Sequence, residues 1–289
     1  MATTMIDGHG AAGLDRPGIA RAALSALSGP RGAVTAELKH LRRGGGPARV
    51  HVGAPGATVR HEGVEELRPT TILDGRPYAA DFTLDRNGFA LRRHDSAVAD
   101  FEDAEERAAV YDPEVAALVR AATGAAKVLV FDHTVRKDAA GAGRQPARHV
   151  HVDYTDVSGP ARARDFLTEA EAAALADKRL VQINVWRPIT RPVERAPLAL
   201  LDAATLAPED LAPIEIHNEG RVGEIYGLYG SEGHRWWWFP NMRPDQAVLI
   251  KGYDSARDGR ARFTPHTAFD VPGAPASAAP RESVETRTF

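Results

Sequence analysis

His151 and Asp153 lie two residues apart, and of the residue pairs in this sequence their spacing is the one that best suits metal binding. They lie in residues 148–155, where valines alternate with polar residues and predict a β-strand. Side chains two residues apart on a strand point the same way, so the imidazole and the carboxylate share a face. The pair offers two ligands of a 2-His-1-carboxylate iron site. The same pattern also fits polar residues on the surface of an edge strand.

The third ligand must come from a distant part of the chain, and His266 is the prediction for it. His266 lies in residues 262–269, late in the β-rich region, where a strand can cross beside the strand of His151. His149 shares the predicted face of His151 and is a rival ligand. We expect it to support the site instead, because a facial triad takes two histidines and one carboxylate.

A candidate receptor for a carboxylate follows His266 by fifteen residues. Arg281 and Ser283 share one face of a predicted strand, and a guanidinium with a hydroxyl binds a carboxylate well. An iron site followed by such a receptor is what a 2-oxoglutarate-dependent oxygenase needs. Taken alone, Arg281 also fits a charge on the surface. Arg262 and Arg187 are the reserve candidates for the cation.

Other residues are predicted to line the pocket. Those expected at the cosubstrate, besides Arg281 and Ser283, are Asn184 and Arg187. Those expected at the substrate are Tyr154, His133, Arg136 and Trp238. Trp238 ends a run of three tryptophans, and alternation places Trp236 and Trp238 on one side and Trp237 on the other. Core packing is the expected role of this run, and one indole lining the pocket is the alternative. Histidines without ligand spacing are predicted at the surface: His9, His40, His51, His61, His94, His217 and His234.

Composition bounds the class of protein. The 289 residues include no cysteine, which excludes disulfides, thiolate metal sites and cysteine nucleophiles. The net charge is −3 with acids and bases interspersed, so neither nucleic-acid binding nor a membrane patch is expected. No apolar run approaches the ~20 residues that span a bilayer, and no signal peptide is recognisable. The expectation is a cytoplasmic protein, with a homodimer as the default assembly.

The elements that must position these residues are mostly strands. From residue 127 onward about eight strand candidates follow one another, including 180–188, 224–229, 234–239, 247–251 and 282–287. This pattern favours a mainly β fold, an antiparallel double-stranded β-helix (a cupin-like jelly roll) with flanking α-helices.

Residues 1–30 are predicted to be weakly ordered and 31–289 to form a single domain. Within that domain, 31–126 form an N-terminal β and helical part and 127–289 the β-helix core. The N-terminal part contains a predicted hairpin, 81–91, that turns at Asn87 and Gly88. It also contains a helix that Asp112 caps, and Thr168 with Glu171 forms a capping box further on.

Several runs resemble one known family. Residues 130–136, 151–155, 184–189, 238–242, 251–255 and 262–269 are similar, in the same order, to the CmcJ/NvfI/AsaB-type family of secondary metabolism. The similarity runs from about residue 65 to the C-terminus. It implies a double-stranded β-helix that uses non-haem Fe(II), 2-oxoglutarate and O₂, with His151, Asp153 and His266 as the iron ligands.

The function predicted from these observations is oxidation of an unactivated C–H bond of a small molecule, by hydroxylation or desaturation. Three alternatives stay open. One is an iron oxygenase or isomerase of the same fold that does not use 2-oxoglutarate. Another is a binding barrel without catalysis. The third, a methyltransferase, is disfavoured because no Gly-rich loop follows a strand.

Overall fold

The computed structural model describes residues 32–51, 60–139, 144–218 and 221–289. Val34–Phe289 form one compact unit, and Met1–Ala33 are grouped as a second unit that lies almost entirely outside the described residues. The predictions for residues 1–30, for His9 and for the side chain of His61 therefore fall outside the described part of the chain. No helix in the described ranges is long and apolar enough to cross a membrane.

Strands dominate the described ranges, and helices are few. The strands are β1 (Ala33–Leu41), β2 (Ala48–His51), β3 (Arg60–Glu62), β4 (Glu65–Asp74), β5 (Phe89–Arg93), β6 (Val130–Lys137), β7 (His151–Val152), β8 (Val181–Pro188), β9 (Leu198–Leu201), β10 (Leu211–Asn218), β11 (Arg221–Leu228), β12 (Trp236–Trp238), β13 (Gln246–Asp254), β14 (His266–Ala268) and β15 (Glu282–Thr288). The α-helices are α1 (Ala104–Glu106), α2 (Asp112–Thr123), α3 (Ser158–Arg164) and α4 (Glu169–Ala174). A π-helical turn, Arg107–Tyr111, joins α1 to α2, and short 3-10 turns lie at Arg76–Tyr78, Ala203–Thr205 and Pro208–Asp210.

The strands form two sheets. One sheet, which we call the major sheet, has five strands in the order β5-β13-β8-β15-β6, and each of its neighbouring pairs is antiparallel. The second sheet has the order β1-β4-β12-β9-β14-β7-β11-β10-β2-β3. This mainly β architecture is the jelly roll that the sequence predicted. The N-terminal part contributes to both sheets, since β5 pairs with β13 and β4 pairs with β12.

Both faces of the major sheet are buried, which explains the near-continuous burial of β8. On one face Val185 and Val284 pack against Val115 of α2 in an apolar cluster. Alternation along the strands places polar residues on the opposite face. These are Asn184 on β8 and, on β15, Ser283, Glu285 and Arg287, with Arg287 directly opposite Asn184. This polar face belongs to the candidate site.

The local predictions have mixed outcomes. The capping box of Thr168 and Glu171 is confirmed at the start of α4. Asp112 does not cap a helix as predicted: it is itself the first residue of α2, with helical backbone angles that continue the path from α1, and Asp103 caps α1. The hairpin at 81–91 was wrong, because β5 pairs with β13 rather than with the segment before it.

The predicted bend itself is present and supports the loop that leads to His266. Gly88 has φ +81°, a conformation that favours glycine. A Cβ atom at Gly88 would lie 2.1 Å from Thr264 Oγ1, whose hydroxyl donates to the Gly88 carbonyl at 2.8 Å. The close approach ties the segment before β14 to the turn before β5.

Two histidines that were predicted at the surface are buried. His40 is 2% exposed, and so is the side chain of His234. The ring of His40 packs edge-on against Trp236, with 5.9 Å between centroids. The prediction was wrong because a distant strand, β12, brings this indole onto β1, and nothing near His40 in the sequence indicates that contact.

Acid is expected to destabilise the protein partly through His40. Burial, followed by the neighbouring His234, lowers the pKa of His40 from 6.5 to about 4. Between these pH values the unfolded chain binds more protons than the folded one. The His40 contribution is therefore complete above pH 6.5 and is lost as pH falls toward 4. The shift corresponds to about 3 kcal/mol in the free energy of unfolding, which urea denaturation across this range measures.

The matched variants are His40→Gln and His217→Gln. The first removes the buried ring and should flatten the dependence of unfolding free energy on pH. The second removes a partly exposed histidine and should leave that dependence as in the wild type. Equal slopes in His40→Gln and the wild type would contradict the assignment to His40.

Candidate metal centre

Two neighbouring antiparallel strands bring the two predicted histidines together. His151 on β7 and His266 on β14 are direct cross-strand partners. Their ring centroids are 4.6 Å apart, and the residues are 8% and 2% exposed. The expectation that the strand of His266 runs beside that of His151 is confirmed.

Backbone carbonyls fix the orientation of both imidazoles. His151 Nδ1 lies 2.8 Å from the carbonyl oxygen of His149, and His266 Nδ1 lies 3.0 Å from that of Thr264. A carbonyl only accepts, so Nδ1 carries a proton in each ring, and in the neutral form of the ring Nε2 keeps its lone pair. Within the described ranges His266 Nε2 is buried without a hydrogen-bond partner. Burial, and next the neighbouring His266, lowers the pKa of His151 to about 4, which keeps its ring neutral at pH 7.

Asp153 completes the group. Its Oδ1 lies 3.6 Å from His151 Nε2, and one ligand atom from each of the three residues lies within 4.8 Å of the other two. Among the described residues this is the one group of three such side chains close enough to share a metal ion. Burial alone would raise the pKa of Asp153, but Arg287 and the two histidines hold it well below its usual range. The donor set of two imidazoles and one carboxylate fits ferrous iron.

Asn184 and Arg287 hold the second oxygen of Asp153. Asn184 Nδ2 donates to Asp153 Oδ2, and Arg287 Nε lies 3.5 Å from the same oxygen. The sequence predicted Asn184 at the cosubstrate, whereas the structure places its amide on the metal-site carboxylate. Arg287 was not predicted. The sequence pattern that could have predicted Arg287 is the alternation of a strand: residues at steps of two from Arg281 and Ser283 share their face, and Arg287 is one of them.

Ser283 lies on the same face of β15 as Arg287, and Arg281, the residue immediately before β15, continues that alternation. Arg281 is 2% exposed, stacks over Trp186 at 5.4 Å, and donates from Nη1 to the Ala196 carbonyl at 2.6 Å. Arg281 Nε and Ser283 Oγ are buried, and neither has a hydrogen-bond partner in the described part of the chain. Burial, and then the nearby charge of Arg136, lowers the pKa of Arg281 to about 9. A buried cation beside an unpartnered hydroxyl suits a bound carboxylate.

Arg136 lies beside this receptor. In the register of β6 and β15 it is directly opposite Ser283. Its Nη1 donates to the Gln145 carbonyl at 2.8 Å, and burial lowers its pKa. Contact of Arg136 with substrate stays a prediction.

Arg187 and His133 lie on the opposite face of the major sheet. Arg187 is directly opposite Val284, and its guanidinium binds the ring and carbonyl of His94. His133 is directly opposite Thr286, with one nitrogen 2.9 Å from that hydroxyl and the other 2.8 Å from Asp112. The structure contradicts the predicted contacts of both residues with cosubstrate or substrate, because the sheet separates them from the metal centre.

Trp238 also points away from the metal centre. Trp237 and His266 share a face across β9, so Trp236 and Trp238 lie on the other face. There Trp238 packs edge-on against Phe269, 5.5 Å between centroids, in an apolar cluster. The predicted core role and alternation of the three tryptophans are confirmed, and a pocket-lining role for Trp238 is not.

Two further candidates have partners of their own. Tyr154 packs against Phe289 at 5.8 Å between centroids, and burial raises its pKa to about 12. A place for it at the pocket rim stays a prediction. Arg262, a reserve cation, donates from Nε to the Asp254 carbonyl at 2.7 Å and pairs with Asp156 at 2.5 Å. It is therefore a weaker candidate than Arg281 for the cosubstrate.

Comparison with known proteins extends over most of the chain. A family model described as "Oxidoreductase/YMDC permease-like domain" matches residues 38–289. The alpha-ketoglutarate-dependent dioxygenase phiK of a fungal species is 35% identical over 239 residues, 78% of this chain and 84% of that protein. The hydroxylase/desaturase efuI of Hormonema carpetanum is 30% identical over 272 residues, 84% of this chain and 89% of that protein.

A solved structure agrees with these relatives. The iron and alpha-ketoglutarate-dependent endoperoxidase NvfI superposes with a TM-score of 0.79 at 29% identity, covering 89% of this chain and 97% of that one.

Proposed function

The chain belongs to the family of Fe(II)/2-oxoglutarate-dependent oxygenases, and we propose that His151, Asp153 and His266 hold its iron. One observation carries this assignment: two imidazoles that donate from Nδ1 to backbone carbonyls, and so leave Nε2 for a metal, lie beside one carboxylate in the interior of the protein. The enzyme uses Fe(II), 2-oxoglutarate and O₂ and oxidises a small molecule. Iron bound at this site would supply the chemistry that oxidises an unactivated C–H bond.

Each residue near the triad has a separate task in this proposal. The carbonyls of His149 and Thr264 hold the two imidazoles in the tautomer that binds a metal. Asn184 and Arg287 hold Asp153. The two imidazoles are buried and the Asp153 side chain is 11% exposed, so the site holds little water, which strengthens the electrostatic contacts within it.

Arg281 and Ser283 are proposed to hold the far carboxylate of 2-oxoglutarate. Their unpartnered Nε and Oγ atoms can both donate to one carboxylate, and the burial of Arg281 makes that pairing strong. Arg136, opposite Ser283 on the neighbouring strand, adds positive charge to the same face.

The substrate is proposed to be a small molecule of secondary metabolism, with hydroxylation or desaturation as the outcome. The names of the relatives support this, since efuI is called a hydroxylase/desaturase and another relative an "Aspirochlorine biosynthesis protein N". The cytoplasmic location and the homodimer predicted from the sequence belong to the proposal as well.

The test is an anaerobic titration of the purified protein. Fe(II) and then 2-oxoglutarate are added, and the weak visible charge-transfer band of a keto acid chelated to ferrous iron is recorded. The expected result is a band that saturates at one equivalent of iron and is absent without 2-oxoglutarate.

Two outcomes would contradict parts of the proposal. Iron binding without the band would favour an oxygenase of the same fold that uses no 2-oxoglutarate. Failure to bind iron would leave a small-molecule-binding barrel without this chemistry.

A further inference from the structure

Arg287 is surrounded by three carboxylates. Its Nη1 lies 2.5 Å from Asp132 Oδ2, its Nη2 donates to Glu285 Oε1, and its Nε lies 3.5 Å from Asp153 Oδ2. Nη1 is also 3.1 Å from Thr134 Oγ1. Burial alone would lower the pKa of Arg287, but these acids, Glu285 first, raise it well above its ordinary value. The guanidinium therefore stays charged, and each of its nitrogens engages a different carboxylate.

This arrangement leaves one oxygen of Asp153 free to face a metal. Oδ2 accepts from Asn184 and pairs with Arg287, whereas Oδ1 points toward His151 Nε2 at 3.6 Å. A carboxylate fixed through one oxygen offers the other as a single ligand atom.

Glu285 is a second carboxylate on the same strand face. Its side chain is 7% exposed, and it lies between Ser283 and Arg287 in the alternation of β15. A carboxylate so placed is a rival oxygen ligand for iron. The pairing with Arg287 Nη2 holds it, and among the described residues the metal-binding group does not include it.

We propose that Arg287 is a positioning residue of the metal centre that holds Asp153 as a one-oxygen ligand and withholds Glu285 from the metal. The inference rests on the proposed iron site. Its consequence is a count of protein ligands: with Arg287 in place, three side chains bind and the remaining positions stay open for the cosubstrate and O₂.

The experiment titrates Co(II) into the full-length protein and follows the visible d–d spectrum, which reports coordination without turnover. Four proteins are compared: wild type, Arg287→Gln, the double variant Arg287→Gln/Glu285→Gln, and Arg187→Gln. The last is the matched control, because it removes another largely enclosed guanidinium, 3% exposed against 13% for the Arg287 side chain, from the opposite face of the same sheet. Circular dichroism checks that each variant is folded, and Arg287→Lys replaces Arg287→Gln if the latter does not fold.

Arg287→Gln is expected to weaken Co(II) binding by about ten- to a hundredfold. It should also change the d–d spectrum and lose the spectral response to 2-oxoglutarate, because Glu285 then competes for a position. The double variant should regain the response to 2-oxoglutarate while its Co(II) affinity stays low. Arg187→Gln should match the wild type in both readouts.

Different results overturn different claims. If wild-type protein binds no Co(II), the proposed metal centre fails and this inference fails with it. If wild type binds Co(II) and Arg287→Gln has the same affinity and spectrum, the metal centre stands and the role of Arg287 is refuted. A double variant that responds to 2-oxoglutarate as Arg287→Gln does would show that Glu285 does not compete for the metal.

Discussion

His266→Ala is expected to lose ferrous iron and, with it, oxygenase turnover by about a thousandfold or more, since a bound metal contributes several kcal/mol to catalysis. His266 Nε2 is buried and, in the described ranges, has no hydrogen-bond partner. Its removal leaves His151 and Asp153 as two ligands, which cannot form a facial triad. Iron content after anaerobic reconstitution and desalting, together with succinate formed from 2-oxoglutarate, measures both losses.

His133→Gln is the matched control for His266→Ala. It removes a partly buried histidine of the same barrel, one that binds Asp112 and Thr286 on the opposite face of the major sheet. It should retain one equivalent of iron. The ligand assignment would be wrong if His266→Ala kept iron as tightly as wild type, or if His133→Gln lost it.

The triad could be predicted because two of its three residues are neighbours in the sequence. The spacing of His151 and Asp153 places both on one face of any extended segment, and His266 needed only a strand that returns beside them. The strand itself was overestimated: residues 148–155 were predicted, and the paired strand is His151–Val152. The geometry survives because a short strand fixes orientation as well as a long one when the carbonyls of His149 and Thr264 hold the rings.

The errors at the site concern which face of a strand points inward. Asn184 and Arg187 are three residues apart on β8, so alternation alone excludes one of them from a shared site. The sequence did not reveal which, because α2 covers the outer face and makes both faces of the sheet buried. His133 was misplaced for the same reason, because its face of the sheet meets α2 at Asp112. Trp238 lies in the second sheet, on a strand whose three residues are all buried. In a strand buried on both sides, hydrophobicity no longer marks the interior.

The sequence also did not reveal which distant strands pair with one another. β5 was predicted to form a hairpin with its neighbour and instead pairs with β13, far along the chain. β9 and β10 were not predicted at all, although β9 lies beside β14 and helps to place His266. Such pairings depend on the curvature of whole sheets, which no local pattern of residues specifies.

Arg281→Met is expected to raise the dissociation constant for 2-oxoglutarate by about two orders of magnitude, because loss of a buried ionic partner costs about 2–5 kcal/mol. Methionine retains apolar contact with Trp186, over which the guanidinium stacks at 5.4 Å. Ser283→Ala removes one neutral donor and should raise the same constant by only about three- to tenfold. Titration of the ferrous charge-transfer band with 2-oxoglutarate gives both constants.

A shorter keto acid separates cosubstrate recognition from damage to the metal centre. Pyruvate can chelate iron but has no far carboxylate, so wild type and Arg281→Met should bind it equally weakly. Arg187→Gln should bind 2-oxoglutarate as wild type does, since Arg187 faces the opposite side of the sheet. Equal loss of affinity for both keto acids in Arg281→Met would mean that the substitution disturbs the iron ligands. If Arg281→Met kept its affinity for 2-oxoglutarate, the carboxylate receptor would be Arg136, the neighbouring cation on the same face. A positive partner is required because 2-oxoglutarate is a dianion and would be buried beside the carboxylates of Asp153 and Glu285.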